Sequence, residues 1–154
     1  LAIPLYEQWD LLKNNHKAVL VGLTAGVVTS LVTVLVLSLL LGLSHEEYVT
    51  MLPKSITTAI GMGVSEELGG YVTITVAVII VTGVLGNMFG ELICKVFKIE
   101  EPISKGLAFG SAAHAIGTAK AMEIGEIEGA MSSLAIAVSG ILTVILSSVF
   151  AHFL

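Results

Sequence analysis

Long uncharged stretches alternate with short polar ones along this chain, and their lengths predict helices that cross a membrane. Residues 18–43 carry no charge and, at a rise of about 1.5 Å per residue, can span a bilayer with some tilt. Residues 71–89 and 131–154 are two further apolar stretches, and the second has His152 near its end. We therefore expect three spanning helices, A, B and C, preceded by a polar approach over residues 1–17.

Two intermediate segments, residues 50–70 and 104–129, are too short, too polar or too rich in glycine to be ordinary spanning helices. Before the first, Ser44 and Glu47 have the spacing of a capping box, and Pro53 predicts an interruption of the helix that this box starts. The two segments share Ser, Ala-Ile-Gly, Glu and Gly at a constant offset of 56 residues. With an offset of 57 the similarity continues from helix B into helix C, which indicates an internal repeat.

The positions of the lysines predict how this repeat lies in the membrane. Lysines precede helix A and follow helix B, so the positive-inside rule places both groups in the cytoplasm. Residues 50–70 must then start and finish outside. A unit of one re-entrant segment and one spanning helix crosses the membrane an odd number of times, so its second copy is inverted. We expect an all-α, polytopic fold with two broken or re-entrant segments in an inverted repeat, typical of secondary transporters.

Composition agrees with a membrane protein and excludes several functions. Only 12% of residues are charged, about half the share in a soluble domain. The net charge is -5 and arginine is absent, which argues against nucleic-acid binding. A single cysteine, Cys94, and four scattered histidines predict neither a disulfide nor a metal site, and no catalytic or nucleotide-binding motif is present. We therefore expect no cofactor and no enzymatic activity. An intramembrane enzyme with His114 as its base is the weakest alternative.

Candidate binding residues cluster in the two intermediate segments. Backbone that leaves helical geometry inside a membrane must face protein or a water-filled cavity, where its free N–H groups can bind anions. Hydroxyl and lysine side chains beside such groups suit a small carboxylate that also bears a hydroxyl or keto group. On a regular helix, His114 and Thr118 would share one face with Ser111. The candidates are Lys54, Ser55, Thr57, Thr58, Ser111, His114, Thr118 and Lys120.

Each of these residues also has a simpler interpretation. His114 is either a proton relay or a structural histidine bonded to a backbone carbonyl. Lys54 and Lys120 are either ligands or side chains that extend to the headgroups. The repeat-related carboxylates Glu67 and Glu123 are candidates for ion coupling together with His114, although such residues more often form a solvated rim.

Four motifs closely resemble the LrgB/CidB family of membrane proteins, to which the plastid glycolate/glycerate translocator belongs. They are Leu52-Pro-Lys-Ser-Ile-Thr-Thr-Ala-Ile, Gly83-Val-Leu-Gly, Lys105-Gly-Leu-Ala-Phe-Gly-Ser-Ala-Ala-His-Ala-Ile-Gly-Thr-Ala-Lys-Ala and Glu126-Ile-Glu-Gly-Ala-Met-Ser-Ser-Leu-Ala. The resemblance covers essentially the whole chain. Ala59 and Glu91 depart from it, because the family commonly has proline at both positions. The chain begins on leucine, and family members carry further hydrophobic segments upstream, so we expect a fragment or a processed product that is part of a larger family fold.

The resemblance implies two functions and a set of binding residues. Family members are described as carriers of pyruvate, lactate or glycolate-like carboxylates, and as antiholin-like regulators of murein hydrolase export and cell lysis. The second function implies a small holin-like partner of the LrgA/CidA type. The family motifs match Lys54, Ser55, Thr57, Thr58, His114, Gly117, Thr118 and Lys120.

From residues and resemblance together, we predict an alternating-access carrier of small organic anions. It would be a multi-pass protein of the cell membrane, with self-association as a further expectation. The antiholin-like regulator is the alternative. A protein that acts by assembly should tolerate loss of the polar residues and fail on bulky replacements at Gly83, Gly86 or Gly140.

Overall fold

The computed structural model describes Tyr6 and residues 8–154, and all the regular structure in this part of the chain is helical. Three stretches, Lys13–Leu41, Val72–Val96 and Glu126–Phe153, are long and apolar enough to cross a membrane, as the hydropathy pattern predicted. The helices are α1 (Trp9–Leu41), α2 (His45–Met51), α3 (Thr58–Glu67), α4 (Val72–Val96), α5 (Pro102–Ile124) and α6 (Glu126–Phe150), with a 3-10 turn at Ala151–Phe153.

The long helices extend beyond the uncharged stretches of the sequence. α1 begins at Trp9, nine residues before residue 18, and so includes Asp10 and Lys13. α4 continues to Val96, seven residues past residue 89. Charged residues form helices readily, so hydropathy marks the part of a helix that suits lipid rather than its ends.

The first intermediate segment folds back on itself. α2 starts with the predicted capping box, in which the Glu47 carboxylate accepts a hydrogen bond from the Ser44 N–H at 2.8 Å. The helix ends before Pro53, and α3 begins only at Thr58. The hydroxyl oxygen of Thr50 accepts a hydrogen bond from the N–H of Tyr71 at 2.7 Å, so the two ends of the segment lie together. We call residues 45–67 hairpin 1.

The second intermediate segment is also a hairpin. α5 is broken at His114, whose backbone angles are φ 49° and ψ -134°, so that residues 102–113 and 115–124 form two arms. Phe109 and Ala121 belong to one core cluster, although they would lie about 18 Å apart along a straight helix. The arms therefore pack against each other, and we call them hairpin 2.

The two hairpins enter the fold from opposite ends of α4. Hairpin 1 is attached near the start of this helix, where the Thr75 hydroxyl donates to the carbonyl of Thr50 at 2.9 Å. Hairpin 2 is attached near its end, where Phe109 packs in one cluster with Cys94. α6 runs in the opposite direction and ends beside hairpin 1, because the Tyr48 hydroxyl donates to the Phe150 carbonyl at 2.8 Å. The fold contains the inverted repeat that the sequence predicted.

Equivalent glycines in the two hairpins make equivalent contacts. A methyl group at Gly61 would lie 3.6 Å from the carbonyl oxygen of Pro53, and one at Gly117 would lie 2.7 Å from that of Phe109. Both pairs are eight residues apart, and they are related by the offset of 56. Glycine at these positions allows the two arms of each hairpin to approach closely.

α1 connects the two hairpins along one side of the molecule. Its first half packs Val19 and Leu23 in a cluster with Ala135. Its second half packs Leu31 in a cluster with Tyr48, at the start of hairpin 1. Since lipid is as apolar as these side chains, close packing rather than the hydrophobic effect holds the helices together within a membrane.

Six of the seven lysines lie at one end of this fold, where hairpin 2 begins and ends. We call it the lysine-rich end; it contains Lys13, Lys17, Lys95, Lys98, Lys105 and Lys120. Glu101 caps the first arm of hairpin 2 there by accepting a hydrogen bond from the N–H of Ser104 at 2.7 Å.

Candidate functional site

Two cavities meet where the tips of the hairpins face each other. The larger has a volume of about 950 Å³ and the smaller about 310 Å³. Lys54 from hairpin 1, Ala112 from hairpin 2 and Thr82 from the middle of α4 line both. Six of the predicted binding residues line one or both cavities, namely Lys54, Ser55, Thr57, Thr58, Ser111 and His114.

His114 forms the tip of hairpin 2 and lines the smaller cavity. Its side chain is 5% exposed, and neither ring nitrogen has a hydrogen-bond partner among the described residues. No backbone carbonyl among the described residues is bonded to this ring. Its positive φ is rare outside glycine. A buried, unpartnered ring on a strained backbone is typical of a functional site.

Lys54 is the positive charge at the tip of hairpin 1. It is partly buried, and its ammonium group donates to the Ser55 hydroxyl at 2.9 Å. No carboxylate is among the residues that line the smaller cavity in the described part of the chain. Glu101 is among the residues that line the larger cavity, but within the smaller cavity the Lys54 ammonium has no carboxylate beside it and would attract an anion.

The repeat-related serines of the two tips lie close together. Ser55 and Ser111, with Ser30 of α1 and Thr143 of α6, line a small cavity of about 10 Å³, close to the minimum for one water molecule. The Ser111 hydroxyl donates to the carbonyl of Leu107 at 2.7 Å, so its oxygen remains free to accept a hydrogen bond. The tips thus offer donors and acceptors beside the Lys54 ammonium.

Three of the predicted binding residues, Gly117, Thr118 and Lys120, line neither of the two cavities. Thr118 is buried and hydrogen-bonded to the hydroxyl of Ser132 at 2.7 Å. Gly117 packs against the other arm of hairpin 2. The expected common face of His114 and Thr118 was wrong, because the backbone turns at His114 and helical spacing does not continue across the break.

Lys120 forms ion pairs at the lysine-rich end. Its ammonium lies 2.8 Å from the carboxylate of Glu91 on α4 and 3.2 Å from that of Glu123. The pair with Glu91 joins the second arm of hairpin 2 to α4. This ion pair could not be predicted from the sequence, since the two residues are far apart in the chain.

The two carboxylates considered for ion coupling are exposed and lie at opposite ends of the fold. Glu67 ends α3 in hairpin 1, whereas Glu123 lies in the last turn of α5. Neither lines the two cavities at the hairpin tips. Across Tyr6 and residues 8–154, no group of three His, Cys, Asp or Glu side chains could hold a metal ion.

Two polar residues of α4 contribute to the site and were missed from the sequence. Thr82 lines both cavities. Asn87 donates from its side-chain amide to the carbonyl of Ile116 at 3.0 Å, and so satisfies a backbone group beside the break at His114. In the sequence, the only indication of their role was the presence of a hydroxyl and an amide side chain within an apolar helix.

Glycines of α4 pack against hairpin 2 within the same chain. A methyl group at Gly83 would lie 2.8 Å from Ile116, and one at Gly86 would contact Ala113. Bulky replacements at Gly83 or Gly86 would therefore disrupt this fold whatever its function. They do not distinguish an assembly protein from a carrier, contrary to the expectation from the sequence.

Comparison with known proteins identifies the family of this chain. The model of the LrgB-like family matches residues 1–153. The antiholin-like protein LrgB of Bacillus mycoides (strain KBAB4) is 40% identical over 153 residues, which are 99% of this chain and 66% of that relative. The antiholin-like proteins LrgB of Bacillus cereus (strain B4264) and Bacillus anthracis (strain CDC 684 / NRRL 3495) are each 39% identical, with the same coverage.

The chain spans about two thirds of the length of these curated relatives. No solved structure matches it. The family match extends over both hairpins and all three long helices. The chain belongs to the LrgB-like family.

Proposed function

We propose that this chain acts as an antiholin-like membrane protein that regulates murein hydrolase export and cell lysis. The names of its relatives support this function, at 39% to 40% identity over 99% of the chain. The proposal applies to the complete protein that contains this chain. Its partner is a small holin-like membrane protein of the LrgA/CidA type, as the family resemblance implies.

Lysis measurements test this function. The complete protein is expressed in bacteria that lack their own LrgB-type protein, with and without the holin-like partner. We expect slower autolysis and less murein hydrolase activity outside the cells, and copurification of the two proteins. Unchanged autolysis at normal expression would contradict the proposal.

The site favours a second candidate, the carriage of small organic anions such as pyruvate, lactate or glycolate. One observation supports it: the tips of two inverted hairpins meet at a cavity that contains Lys54 and His114 but no described carboxylate. The Lys54 ammonium and neighbouring hydroxyls would bind a carboxylate. The His114 ring, which has no partner among the described residues, would bind the adjacent hydroxyl or keto group.

The lysine-rich end gives this carrier an orientation in the cell membrane. With that end in the cytoplasm, α1 and α6 run outward and α4 runs inward. Hairpin 1 then enters from outside and hairpin 2 from the cytoplasm. Alternating access would open the tip cavity to one side at a time.

Uptake into proteoliposomes tests the carrier. The complete protein is reconstituted and supplied with labelled pyruvate, lactate or glycolate. We expect saturable uptake that falls at least about tenfold in Lys54→Gln or His114→Ala, because each change removes a group that binds the anion. Lys17→Gln, an exposed lysine on α1, is the charge-matched control. Wild-type uptake rates in Lys54→Gln would contradict the assigned site.

The two assays also separate the two functions. Variants at Lys54 and His114 that lose uptake but still restrain lysis would show that assembly alone accounts for the antiholin-like role. Loss of both activities together would link regulation to anion passage.

A further inference from the structure

A separate pocket of about 180 Å³ lies at the lysine-rich end, between the end of α4 and the first arm of hairpin 2. Lys95 and Lys98 line it from the end of α4, and Lys105 lines it from hairpin 2. Phe109 and Ile124 form part of its apolar wall. None of these residues takes part in the tip cavities.

Lys98 holds an unfavourable backbone conformation at this pocket. Its φ is 55°, in the left-handed region that favours glycine. It follows Phe97, the C-cap of α4. Two hydrogen bonds close this helix end, from the Lys98 N–H to the Lys95 carbonyl and from the Ile99 N–H to the Cys94 carbonyl.

Hairpin 1 ends in the same turn but uses glycine. After α3, the N–H of Gly69 donates to the carbonyl of Glu66, and the N–H of Gly70 donates to the carbonyl of Ser65. Gly69 has a φ of 80°. Glycine adopts this conformation without strain. A lysine at the equivalent position of α4 keeps a charged side chain at the pocket in spite of the backbone strain.

The charges around the pocket leave an excess of positive groups. Two carboxylates, Glu91 and Glu100, line it together with the three lysines. The carboxylate of Glu91 already pairs with Lys120 at 2.8 Å. Glu100 is therefore the only remaining carboxylate among the residues that line the pocket in the described part of the chain.

Exposed apolar side chains lie next to the pocket, as is typical of a helix end that meets lipid headgroups. Leu92 and Val96 on the last turns of α4, and Phe97 directly after it, are 58%, 67% and 73% exposed. Lysines directly beyond a lipid-facing helix end meet phosphates, and basic pockets between helices bind anionic headgroups.

We propose that this pocket binds a phosphate group, carried by an anionic phospholipid or free in solution, through Lys95, Lys98 and Lys105. The ligand offsets part of the positive charge of the three lysines and links the end of α4 to the first arm of hairpin 2. This site is independent of the tip cavities and of either proposed function.

Thermal unfolding of the complete protein in neutral detergent tests the site. Phosphatidylglycerol is compared with phosphatidylcholine and with inorganic phosphate. We expect phosphatidylglycerol to raise the unfolding midpoint, because a ligand that binds only the folded state stabilises it, whereas phosphatidylcholine should not. An equal rise with inorganic phosphate would support the site and identify free phosphate as a sufficient ligand.

Two double variants with the same loss of charge show whether the pocket is responsible. Lys95→Gln/Lys98→Gln should lose more than half of the rise caused by phosphatidylglycerol. Lys13→Gln/Lys17→Gln, which removes two lysines of α1 at the same end, should keep it. Equal rises in the two double variants would overturn the proposal.

Lys98→Gly separates the side chain from the backbone. Glycine relieves the left-handed strain, so we expect a higher midpoint without lipid and a smaller rise with phosphatidylglycerol. A higher midpoint without lipid together with the full rise would show that the Lys98 side chain does not bind the phosphate.

Discussion

The two hairpins share a backbone plan but differ in how tightly the long helices hold them. Hairpin 2 is packed on two sides, because Gly83 of α4 leaves almost no space beside Ile116 and Gly110 contacts the backbone of α6 at Ser132. Hairpin 1 has a looser counterpart of the first contact, since a methyl group at Gly140 would lie 3.5 Å from Ile60.

The difference at one equivalent position explains why the site is asymmetric. Gly110 of hairpin 2 corresponds to Lys54 of hairpin 1 at the offset of 56 residues. The glycine permits close packing against α6, whereas the lysine lines both cavities. The repeat thus gives both hairpins the same backbone geometry. The different residues at this position make one hairpin surface a packing contact and the other a polar lining of the cavities.

Filling the tightly packed space between Gly110 of hairpin 2 and α6 should destabilise the protein most. In Gly110→Ala the added methyl group would contact the carbonyl of Ser132 and lie 2.7 Å from the Cβ of Ala135. We expect a loss of about 1–3 kcal/mol in the free energy of unfolding from overpacking. Lys54→Ala places alanine at the equivalent position of hairpin 1. This change should reduce the free energy of unfolding much less. Unfolding in detergent measures both, and equal losses would contradict the asymmetry.

We expect a smaller difference in stability between Gly83→Ala and Gly140→Ala, the variants of two equivalent glycines that face the hairpins. A methyl group at Gly83 would lie 2.8 Å from Ile116 Cδ1 and 3.2 Å from its Cβ, so Gly83→Ala should destabilise the protein by about 1–2 kcal/mol. Gly140→Ala makes only an ordinary contact and should be neutral or stabilising by up to about 1 kcal/mol. Unfolding midpoints of the two variants test the pair. Stabilisation by Gly83→Ala would show that α4 does not hold hairpin 2 closely.

The hydrogen bond between Thr118 and Ser132 should contribute to stability without affecting binding. Both residues are buried, and their hydroxyls lie 2.7 Å apart. A double-mutant cycle with Thr118→Val and Ser132→Ala should give a coupling energy of about 0.6 kcal/mol, the average for such bonds in membranes. The substrate concentration at half-maximal uptake should not change. A large change in that concentration would show that Thr118 takes part in substrate binding.

The smallest change in stability is expected from protonation of Glu101, which caps the start of hairpin 2. Partial burial raises the pKa of the Glu101 carboxyl, but hydrogen bonds from the N–H groups of Ser104 and Ile103 and from the Ser104 side chain outweigh it, so the pKa lies below the ordinary value of 4.5. A lowered pKa stabilises the folded state above that value, and this contribution is lost as the pH falls.

Hydrogen exchange measures the Glu101 cap directly. Exchange over residues 103–106 should become faster, relative to the second arm of hairpin 2, as the pH falls from about 5 to about 3, after correction for intrinsic rates. Glu101→Gln should remove this dependence. The same dependence in Glu101→Gln would assign it to another group.

The inverted hairpins could be predicted from the sequence because their signals are local. The capping box at Ser44, the interruption at Pro53 and the repeated Ala-Ile-Gly of residues 59–61 each belong to short stretches of chain. The lysine distribution then fixed the relative directions of the long helices. Hydropathy alone did not give the start of α1, since its first turns carry charges.

The remaining site depends on contacts between distant residues, which one sequence does not contain. The partners of Thr118 and Lys120 lie on α6 and α4, and both contacts depend on the turn at His114. The predicted helical face of His114 failed for the same reason. Thr82 belongs to the site because the middle of α4 lies beside both cavities at the hairpin tips.

Cysteine labelling from each side of the membrane tests whether both intermediate segments are re-entrant and enter from opposite faces. In a Cys94→Ala background, single cysteines replace the exposed residues Glu46 and Glu67 at the ends of hairpin 1, and Glu100 and Glu123 at the ends of hairpin 2. A membrane-impermeant maleimide should label the first pair only from outside and the second pair only from the cytoplasmic side. Labelling of the two ends of either hairpin from opposite sides would contradict the account.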